Sequence, residues 1–323
     1  MSTDQVTAVA YPGLPFIFAE GIREPFDERI SEHNSVGLAL TDLNEEVRTE
    51  TTIRKNPSSK EDIFLVNGKK VEGDRAKGMF RIVRILKEKG KFHDSLLVSS
   101  KNYNIVSGSS DSGAAAFITA LDEFLGTKLS LEDKLSIGRF GSETVFRSLC
   151  GGLTEYIVDE APALKTKQIA SPERLADIVI YAIPFTGERR PADIFHNKIQ
   201  NHPHFLDRKN EVKERIGEVK KCFQANNFIS LLSVMEKEAT TFHKMAEELG
   251  IGVLTNEMKE VTRFAQNLRL TKVPVYWTCA AGLQVYLATT KEYRKEVETQ
   301  LLAKKIGYRQ YKAAGEAHSI NAP

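Results

Sequence analysis

The 323-residue chain has few of the residues that mark disulfide-rich, zinc-binding or membrane proteins. Its three cysteines, Cys150, Cys222 and Cys279, are too few and too scattered for a disulfide framework or a zinc site, and they favour a reducing compartment. No apolar run approaches the length of a membrane span, and the N-terminus lacks a basic segment followed by an apolar one. The sequence therefore predicts a cytoplasmic protein with no membrane partner and no metal site.

An excess of charge of one sign is also missing. Lys and Arg number 45 against 43 Asp and Glu, which gives a net charge of +2. Because nucleic-acid-binding proteins usually carry a clear basic excess, no nucleic-acid partner is expected. The hydrophobic share of 41% is that of an ordinary globular protein, and the length allows two lobes or one large two-part unit.

The order of the apolar patterns predicts an α+β fold in which antiparallel sheets pack against helices. Short strand-like runs at Val6–Tyr11 and Phe16–Ala19 are separated by the turn-like sequence Pro12-Gly13-Leu14-Pro15. A second turn signal, Asn67-Gly68, predicts a hairpin. After the strand-like run that ends at Phe185 the pattern becomes helical and charged, so we divide the chain into regions 1–186 and 187–323.

One stretch has the composition of an anion-binding loop, since a β-like run breaks there into small residues and restarts as an apolar helix. Its candidate phosphate-binding residues are Ser107, Gly108, Ser109, Ser110, Asp111 and Ser112. With so little side-chain bulk, successive backbone N–H groups can close on phosphate oxygens at the positive end of the helix, which we expect to begin near Asp111. Asp111 could also hold Mg²⁺ beside a polyphosphate. The alternative is a serine N-cap before a close-packed alanine face, with no ligand.

A second stretch, Gly141-Ser-Glu-Thr-Val-Phe-Arg147-Ser-Leu-Cys-Gly-Gly152, places Glu143 and Arg147 four residues apart. On one helix they would share a face. One interpretation is a surface salt bridge within the helix, and the other is a role for both residues in binding a substrate.

Together, and in this order, the two stretches resemble the GHMP kinase superfamily and, within it, the diphosphomevalonate decarboxylase group. The segment Arg147-Ser-Leu-Cys-Gly-Gly152 carries the most specific part of the match, and the loop is about two residues shorter than in most decarboxylases. The resemblance implies a GHMP kinase-like two-lobe fold, a small phosphorylated mevalonate-type substrate and an arginine, here Arg147, that fixes the substrate carboxylate. It also allows a homodimer.

Two positions depart from the decarboxylase pattern. The substrate-facing lysine of that group corresponds to about Phe18, and the aspartate of its Asp-Ala-Gly turn corresponds to Ala280, which is either natural or an engineered Asp→Ala change. In the archaeal mevalonate 3-kinases, which phosphorylate without decarboxylating, that aspartate is also absent. Those kinases are similar to this chain in a glutamate at Glu143, a Ser-Ser-Asp loop and an arginine at Arg189. The chain is thus most similar to this archaeal branch.

Three functions follow from the resemblance. The preferred one is a lyase of the archaeal mevalonate pathway that converts mevalonate 3,5-bisphosphate to isopentenyl phosphate without a cofactor. This function is favoured by Ala281-Gly282, retained as in the decarboxylases, and by the apolar Phe18. The second is a 3-kinase that uses ATP and Mg²⁺, because an ionised Glu143 would repel a 5-phosphate. The third is a non-catalytic homologue. The candidate catalytic positions are Arg147 and Ala280, and the candidate substrate-binding residues are Phe18, Glu143, Arg189 and Arg190.

Overall fold

The computed structural model describes residues 4–159, 164–187, 192–280 and 282–320. The strands are β1 (Gln5–Ala10), β2 (Gly13–Ile17), β3 (Ser35–Asp42), β4 (Arg48–Lys55), β5 (Ile63–Val66), β6 (Lys69–Lys70), β7 (Leu96–Tyr103), β8 (Leu153–Ile157), β9 (Lys165–Ala170), β10 (Ile178–Pro184), β11 (Tyr276–Cys279), β12 (Gln284–Thr290), β13 (Arg309–Ala313) and β14 (His318–Ile320). The helices are α1 (Asp74–Gly90), α2 (Ser109–Leu125), α3 (Leu131–Gly138), α4 (Phe146–Cys150), α5 (Ala192–Ile199), α6 (Phe205–Gln224), α7 (Phe228–Glu248), α8 (Asn256–Leu270) and α9 (Arg294–Ala303). Across these described ranges, no helix is both long and apolar enough to cross a membrane.

The strands form two sheets. The first has the order β14-β1-β4-β7-β5-β6, in which β5 and β7 are parallel and the other neighbours are antiparallel. The second has the order β11-β12-β10-β13-β3-β8-β9, with β2 paired to β3, and its pairs are antiparallel. The expected α+β class with antiparallel sheets is confirmed. The division at residue 186 stays a prediction, and the second sheet joins strands from both sides of it.

Helix α2 is packed tightly against the first sheet, where it contacts β1 and β4. Its buried face includes the consecutive residues Ala114, Ala115 and Ala116, followed by Phe117. Because an alanine side chain ends at Cβ, the helix backbone can lie close to the sheet, and Phe117 fills the space beyond with an edge-on contact to Phe64. The start of α2 is therefore held in a fixed position beside the end of β7.

Strand β2 corrects the predicted turn at Pro12-Gly13-Leu14-Pro15. Residues from Gly13 onward are strand, paired to β3, and only Pro12 remains in the connection, where its carbonyl accepts a hydrogen bond from the Leu40 amide. A register shift between Pro15 and Ile17 explains how a proline fits into a paired strand, because an irregular position needs no ladder N–H. The hairpin at Asn67-Gly68 is confirmed by the pairing of β5 with β6.

A buried ion network holds the chain that follows β2. Arg208 of α6 is fully buried and donates hydrogen bonds to Glu20 and to Glu238 of α7. Glu238 also accepts the backbone N–H of Phe18, at 3.0 Å, and a second arginine, Arg215, at 2.6 Å. Since a buried charge is tolerated only when it is paired, these contacts fix the segment around Phe18 relative to α6 and α7.

This network predicts an acid-sensitive contribution to stability. Burial alone would raise the pKa of Glu20, but Arg208 and His33 lower it to about 2, from an ordinary value of 4.5. The charged carboxylate therefore stabilises the fold above about pH 4.5, and the contribution, on the order of 3 kcal/mol, is lost as the pH falls towards 2. We expect Glu20→Gln to be less stable than the wild type near neutral pH, with a difference that shrinks on acidification.

Urea unfolding of both proteins between about pH 6 and pH 3 measures this difference. The exposed Glu61 provides a control, since Glu61→Gln is expected to match the wild type across the range. A stability difference between Glu20→Gln and the wild type that does not change with pH would contradict the assignment.

Candidate active site

The predicted phosphate loop connects β7 to α2 in five residues. Gly108 precedes the helix with a φ of 79°, and a Cβ atom there would lie 2.5 Å from the carbonyl oxygen of Gly13. Only glycine suits this position, because the left-handed conformation and the close approach both exclude a side chain. The helix begins at Ser109, and Ser109, Ser110 and Asp111 form its first turn, which confirms the expected start near Asp111. Phosphate binding at this helix start stays a prediction.

The side chains of Asp111 and Ser112 point into the protein. One Asp111 carboxylate oxygen accepts hydrogen bonds from Ser142, at 2.7 Å, and Thr144, at 2.5 Å, and the other lies 3.3 Å from Arg147 Nη1. The Ser112 hydroxyl lies 2.7 Å from that of Thr49. These two residues therefore leave anion binding at this point to their backbone. The other proposed role of Asp111, as a Mg²⁺ ligand, competes with contacts the carboxylate already makes.

Arg147 lies in α4, and its side chain passes over two glycines. A Cβ atom on Gly37 would lie 2.2 Å from Arg147 Cγ, and one on Gly13 would lie 2.8 Å from Arg147 Cδ. Burial lowers the pKa of Arg147, and burial likewise raises the pKa of Asp111 against the effect of the arginine. The attraction between the two charges thus does not fully offset the cost of removing them from water, so an additional anion beside Arg147 would be favourable.

Glu143 is not paired with Arg147, which corrects the helical geometry expected from their spacing. Helix α4 begins at Phe146, so Glu143 precedes it, and both residues are buried instead of forming a surface salt bridge. Glu143 instead contacts Arg29 Nη2 through one carboxylate oxygen and His196 Nε2, at 2.9 Å, through the other. Burial alone would raise the pKa of Glu143, but His196 and Arg29 hold it well below its usual value. The carboxylate is therefore ionised and compensated.

Arg29 contacts Glu143 from a short segment that is held in place by salt bridges to two other arginines. A single helical turn, Phe26–Glu28, places Arg29 at its end. Glu28 pairs with Arg81 at 2.5 Å and with Arg139 at 2.6 Å, which ties this segment to α1 and to the end of α3. The position of Arg29 over Glu143 is therefore built into the fold.

Ala280, at the position of the decarboxylase aspartate, directly follows β11. The next residue, Ala281, lies outside the described residues. The preceding Cys279 carbonyl lies 2.8 Å from His243 Nε2. Because burial lowers the pKa of His243 to about 4, the imidazole is neutral and Nε2–H donates to this carbonyl. A Cβ atom on Gly282 would lie 2.5 Å from Ser107 Oγ, so the turn borders the phosphate loop.

Phe18 lies beside this turn in an apolar environment. Its ring stacks on Phe242 at a centroid distance of 4.2 Å and meets His243 edge-on at 6.0 Å. The structure thus brings Arg147, Glu143 and the phosphate loop together, with the Phe18 segment and the Ala280 turn as neighbours. The predicted substrate residues Arg189 and Arg190 lie outside the described residues.

Two residues of this site, Arg29 and His196, were not found from the sequence. Arg29 is one of many arginines, and the His196 helix shows no metal or catalytic spacing. They contact Glu143 from positions 114 and 53 residues away in the sequence, and local residue spacing does not predict such tertiary contacts. Among the described residues no group of three or more His, Cys, Asp or Glu side chains could hold a metal ion.

The close contact at Gly37 gives a prediction about stability. We expect Gly37→Ala to lower the free energy of unfolding by about 1–3 kcal/mol, because the added Cβ atom overlaps the stem of Arg147. The penalty should nearly vanish in an Arg147→Ala background, where the obstructing atoms are gone. Urea unfolding of the four proteins measures it. Gly113→Ala in α2 is the control, since a Cβ atom there meets nothing within 4 Å, and an equal cost of Gly37→Ala in both backgrounds would contradict the assignment.

Two family models match successive parts of the chain. Residues 21–167 match the diphosphomevalonate decarboxylase-like N-terminal domain, and residues 190–295 match the mevalonate-3-kinase C-terminal domain. The chain thus joins a diphosphomevalonate decarboxylase-like N-terminal domain to a mevalonate-3-kinase C-terminal domain. These matches confirm the resemblance found in the two motifs, and they make the chain a relative of mevalonate-pathway kinases and decarboxylases.

Relatives of the chain include both types of enzyme. A mevalonate 3-kinase of Thermoplasma acidophilum is 27% identical, with 90% of each chain covered, and a phosphomevalonate decarboxylase of Haloferax volcanii is 23% identical, with 91% of each covered. A mevalonate-bound crystal structure of mevalonate-3-kinase from Thermoplasma acidophilum superposes with a TM-score of 0.89 at 24% identity and covers 99% of each chain. This likeness confirms the GHMP kinase-like fold.

Proposed function

We propose that the protein is a lyase that acts on mevalonate 3,5-bisphosphate and releases isopentenyl phosphate, inorganic phosphate and CO₂ without a nucleotide. In this reaction the C3–O bond breaks and its electron pair leaves with the phosphate. The C1–C2 bond then supplies the electron pair of the new C2–C3 double bond, and C1 departs as CO₂. The substrate already carries the leaving phosphate, so no phosphoryl donor is consumed.

The contact between the phosphate loop and Arg147 is the observation that carries this proposal. Asp111 belongs to the first turn of α2 and touches Arg147 at 3.3 Å, so the helix start and the guanidinium are neighbours. A compound with a phosphate on C3 and a carboxylate two carbons away can place the phosphate at the helix N-terminus and the carboxylate on Arg147. These are the two groups that the reaction removes.

Two further features suit elimination. The Phe18 ring, stacked on Phe242, provides an apolar wall in place of the lysine of the decarboxylases, and a wall that excludes water favours the conversion of a carboxylate to neutral CO₂. The repulsion expected between Glu143 and a 5-phosphate is also offset, because Arg29 and His196 contact that carboxylate.

A second candidate is an ATP-dependent mevalonate 3-kinase. It is favoured by the C-terminal family model, which is that of mevalonate-3-kinase, and by the kinases among the relatives. In that case the phosphate loop would hold the phosphates of ATP with Mg²⁺, and the missing aspartate would explain why phosphorylation is not followed by loss of CO₂.

Two parallel incubations separate the candidates. The first contains carboxyl-labelled mevalonate 3,5-bisphosphate and no nucleotide, and the second contains carboxyl-labelled mevalonate with ATP and Mg²⁺. The lyase predicts labelled CO₂ in the first sample and no ADP in the second. ADP in the second sample, with no CO₂ in the first, would replace the lyase with the kinase, and neither product in either sample would favour a non-catalytic homologue.

A further inference from the structure

The contacts of Glu143 change its expected role. Its two carboxylate oxygens are engaged by Arg29 and by His196 Nε2, as described above. We propose that His196 Nδ1, and not the Glu143 carboxylate, contacts the substituent on C5 of the substrate, while Glu143 orients the imidazole. The inference rests on the proposed function in one respect, the choice of a 5-phosphorylated substrate.

His196 has an unsatisfied atom in a buried position. The residue is 6% exposed, and among the described residues its Nδ1 has no hydrogen-bond partner. A buried polar atom left without a partner destabilises the folded protein, so such an atom is rarely retained without a bound group to satisfy it. A ligand atom that completes the hydrogen bonding of Nδ1 accounts for its presence.

The chemistry of imidazole suits either form of the C5 group. Because Glu143 accepts at Nε2, the hydrogen on that nitrogen is fixed and the ring is held in one orientation. Nδ1 can then accept a hydrogen bond from a hydroxyl when the ring is neutral, or donate one to a phosphate oxygen when the ring is protonated. With Arg29 on the opposite oxygen, the Glu143 carboxylate is not a bare anion facing the phosphate.

The location of His196 suits the C5 end of a substrate whose carboxylate is bound to Arg147. Ser142 and Thr144, the residues on either side of Glu143, donate hydrogen bonds to Asp111, which also contacts Arg147, so Glu143 lies beside this pair. The C5 group of mevalonate branches from the same C3 atom as the carboxylate arm and the 3-phosphate. A substrate held at the phosphate loop and at Arg147 therefore presents its third arm to the neighbouring cluster, where His196 lies.

Two conservative substitutions distinguish ligand contact from a structural role. In His196→Gln the side-chain amide replaces Nε2 and keeps the contact with Glu143, whereas in His196→Asn the amide replaces Nδ1. If Nδ1 contacts the ligand, His196→Asn should keep most of the preference for a phosphorylated C5, and His196→Gln should lose about tenfold or more of it. If His196 only pairs with Glu143, the order of the two variants is reversed.

Calorimetric titration with mevalonate 5-phosphate and with mevalonate measures this preference, since neither compound carries the 3-phosphate and neither turns over. We expect the wild type to bind mevalonate 5-phosphate more tightly than mevalonate. His202→Gln is the matched control, because His202 is also buried and its Nε2 lies 2.8 Å from a carboxylate, that of Glu248, outside this cluster, so the preference should not change. In wild-type protein with ¹⁵N-labelled histidine, mevalonate 5-phosphate should shift the Nδ1 resonance of one buried histidine, and that resonance should be missing in His196→Gln.

The outcomes for the two proposals are separable. The reversed order of the Gln and Asn variants or an unshifted Nδ1 resonance would overturn the assignment of His196, whereas tighter binding of mevalonate than of its 5-phosphate would overturn the choice of a 5-phosphorylated substrate. None of these binding results depends on CO₂ release. A His196 assignment that passes these tests in a protein that releases no CO₂ would leave the C5 contact in place and remove only the lyase.

Discussion

Arg147→Lys is expected to weaken substrate binding by roughly ten- to a hundredfold, which corresponds to about 1–3 kcal/mol. Lysine keeps the positive charge beside Asp111 but loses the planar fork that binds a carboxylate through two parallel hydrogen bonds. The lysine side chain is also shorter than that of arginine, whose stem passes over Gly37 and Gly13. The change should appear as a higher KM for the bisphosphate, measured by CO₂ release.

The fold provides a control for this result. Arg269 of α8 also binds a carboxylate, that of Glu236, through two guanidinium nitrogens, but it is not one of the site residues. Arg269→Lys should therefore leave the KM unchanged, although it also loses a planar fork. Kinetics of Arg147→Lys that match those of the wild type would return Arg147 to the role of a structural partner of Asp111.

Ala280→Asp is expected to raise the rate of CO₂ release on the order of a hundredfold. Loss of phosphate from C3 leaves positive charge on a tertiary carbon, and a carboxylate aimed at that carbon stabilises it. Removal of a comparable preorganised group typically costs about 2.7–4 kcal/mol, so its restoration should have an effect of similar size. The neutral His243, which holds the Cys279 carbonyl, keeps this turn in place without adding a competing charge.

Ala280→Asn separates charge from shape. Asparagine has the size of aspartate without its negative charge, so it should not accelerate the reaction. Both variants are assayed with carboxyl-labelled mevalonate 3,5-bisphosphate in the absence of nucleotide. Equal rates for the Asp and Asn variants and the wild type would show that residue 280 does not face C3. Release that appears only in Ala280→Asp would identify alanine as a disabling change in a lyase.

The sequence predicted the local features of the site well, because they depend on short-range chemistry. A run of small residues before an apolar helix is sufficient to predict the loop around Gly108, and the Arg147 motif is sufficient to predict the family. Helix α2 begins near Asp111, as predicted, with this residue in its first turn. The boundary error concerns α4, which begins three residues later than Glu143, since local propensity does not define the first turn to a residue.

The long-range contacts could not be predicted in this way. The spacing of Glu143 and Arg147 suggested a pair, but Glu143 is instead held by Arg29 and His196, and Arg147 by Asp111. Each of these partners comes from a different element of the fold. The question of whether Glu143 would repel a phosphate likewise depends on its neighbours in space, which a single sequence does not reveal.

The most direct test of the account is a single-turnover reaction with enzyme in excess over carboxyl-labelled mevalonate 3,5-bisphosphate, after all nucleotide has been removed enzymatically. The lyase predicts that the label leaves as CO₂, with one inorganic phosphate released for each CO₂. Addition of ATP should then change neither the rate nor the yield. Retention of the label in the carboxylate, together with ADP formation from mevalonate and ATP by the same preparation, would contradict the account and identify the protein as a 3-kinase.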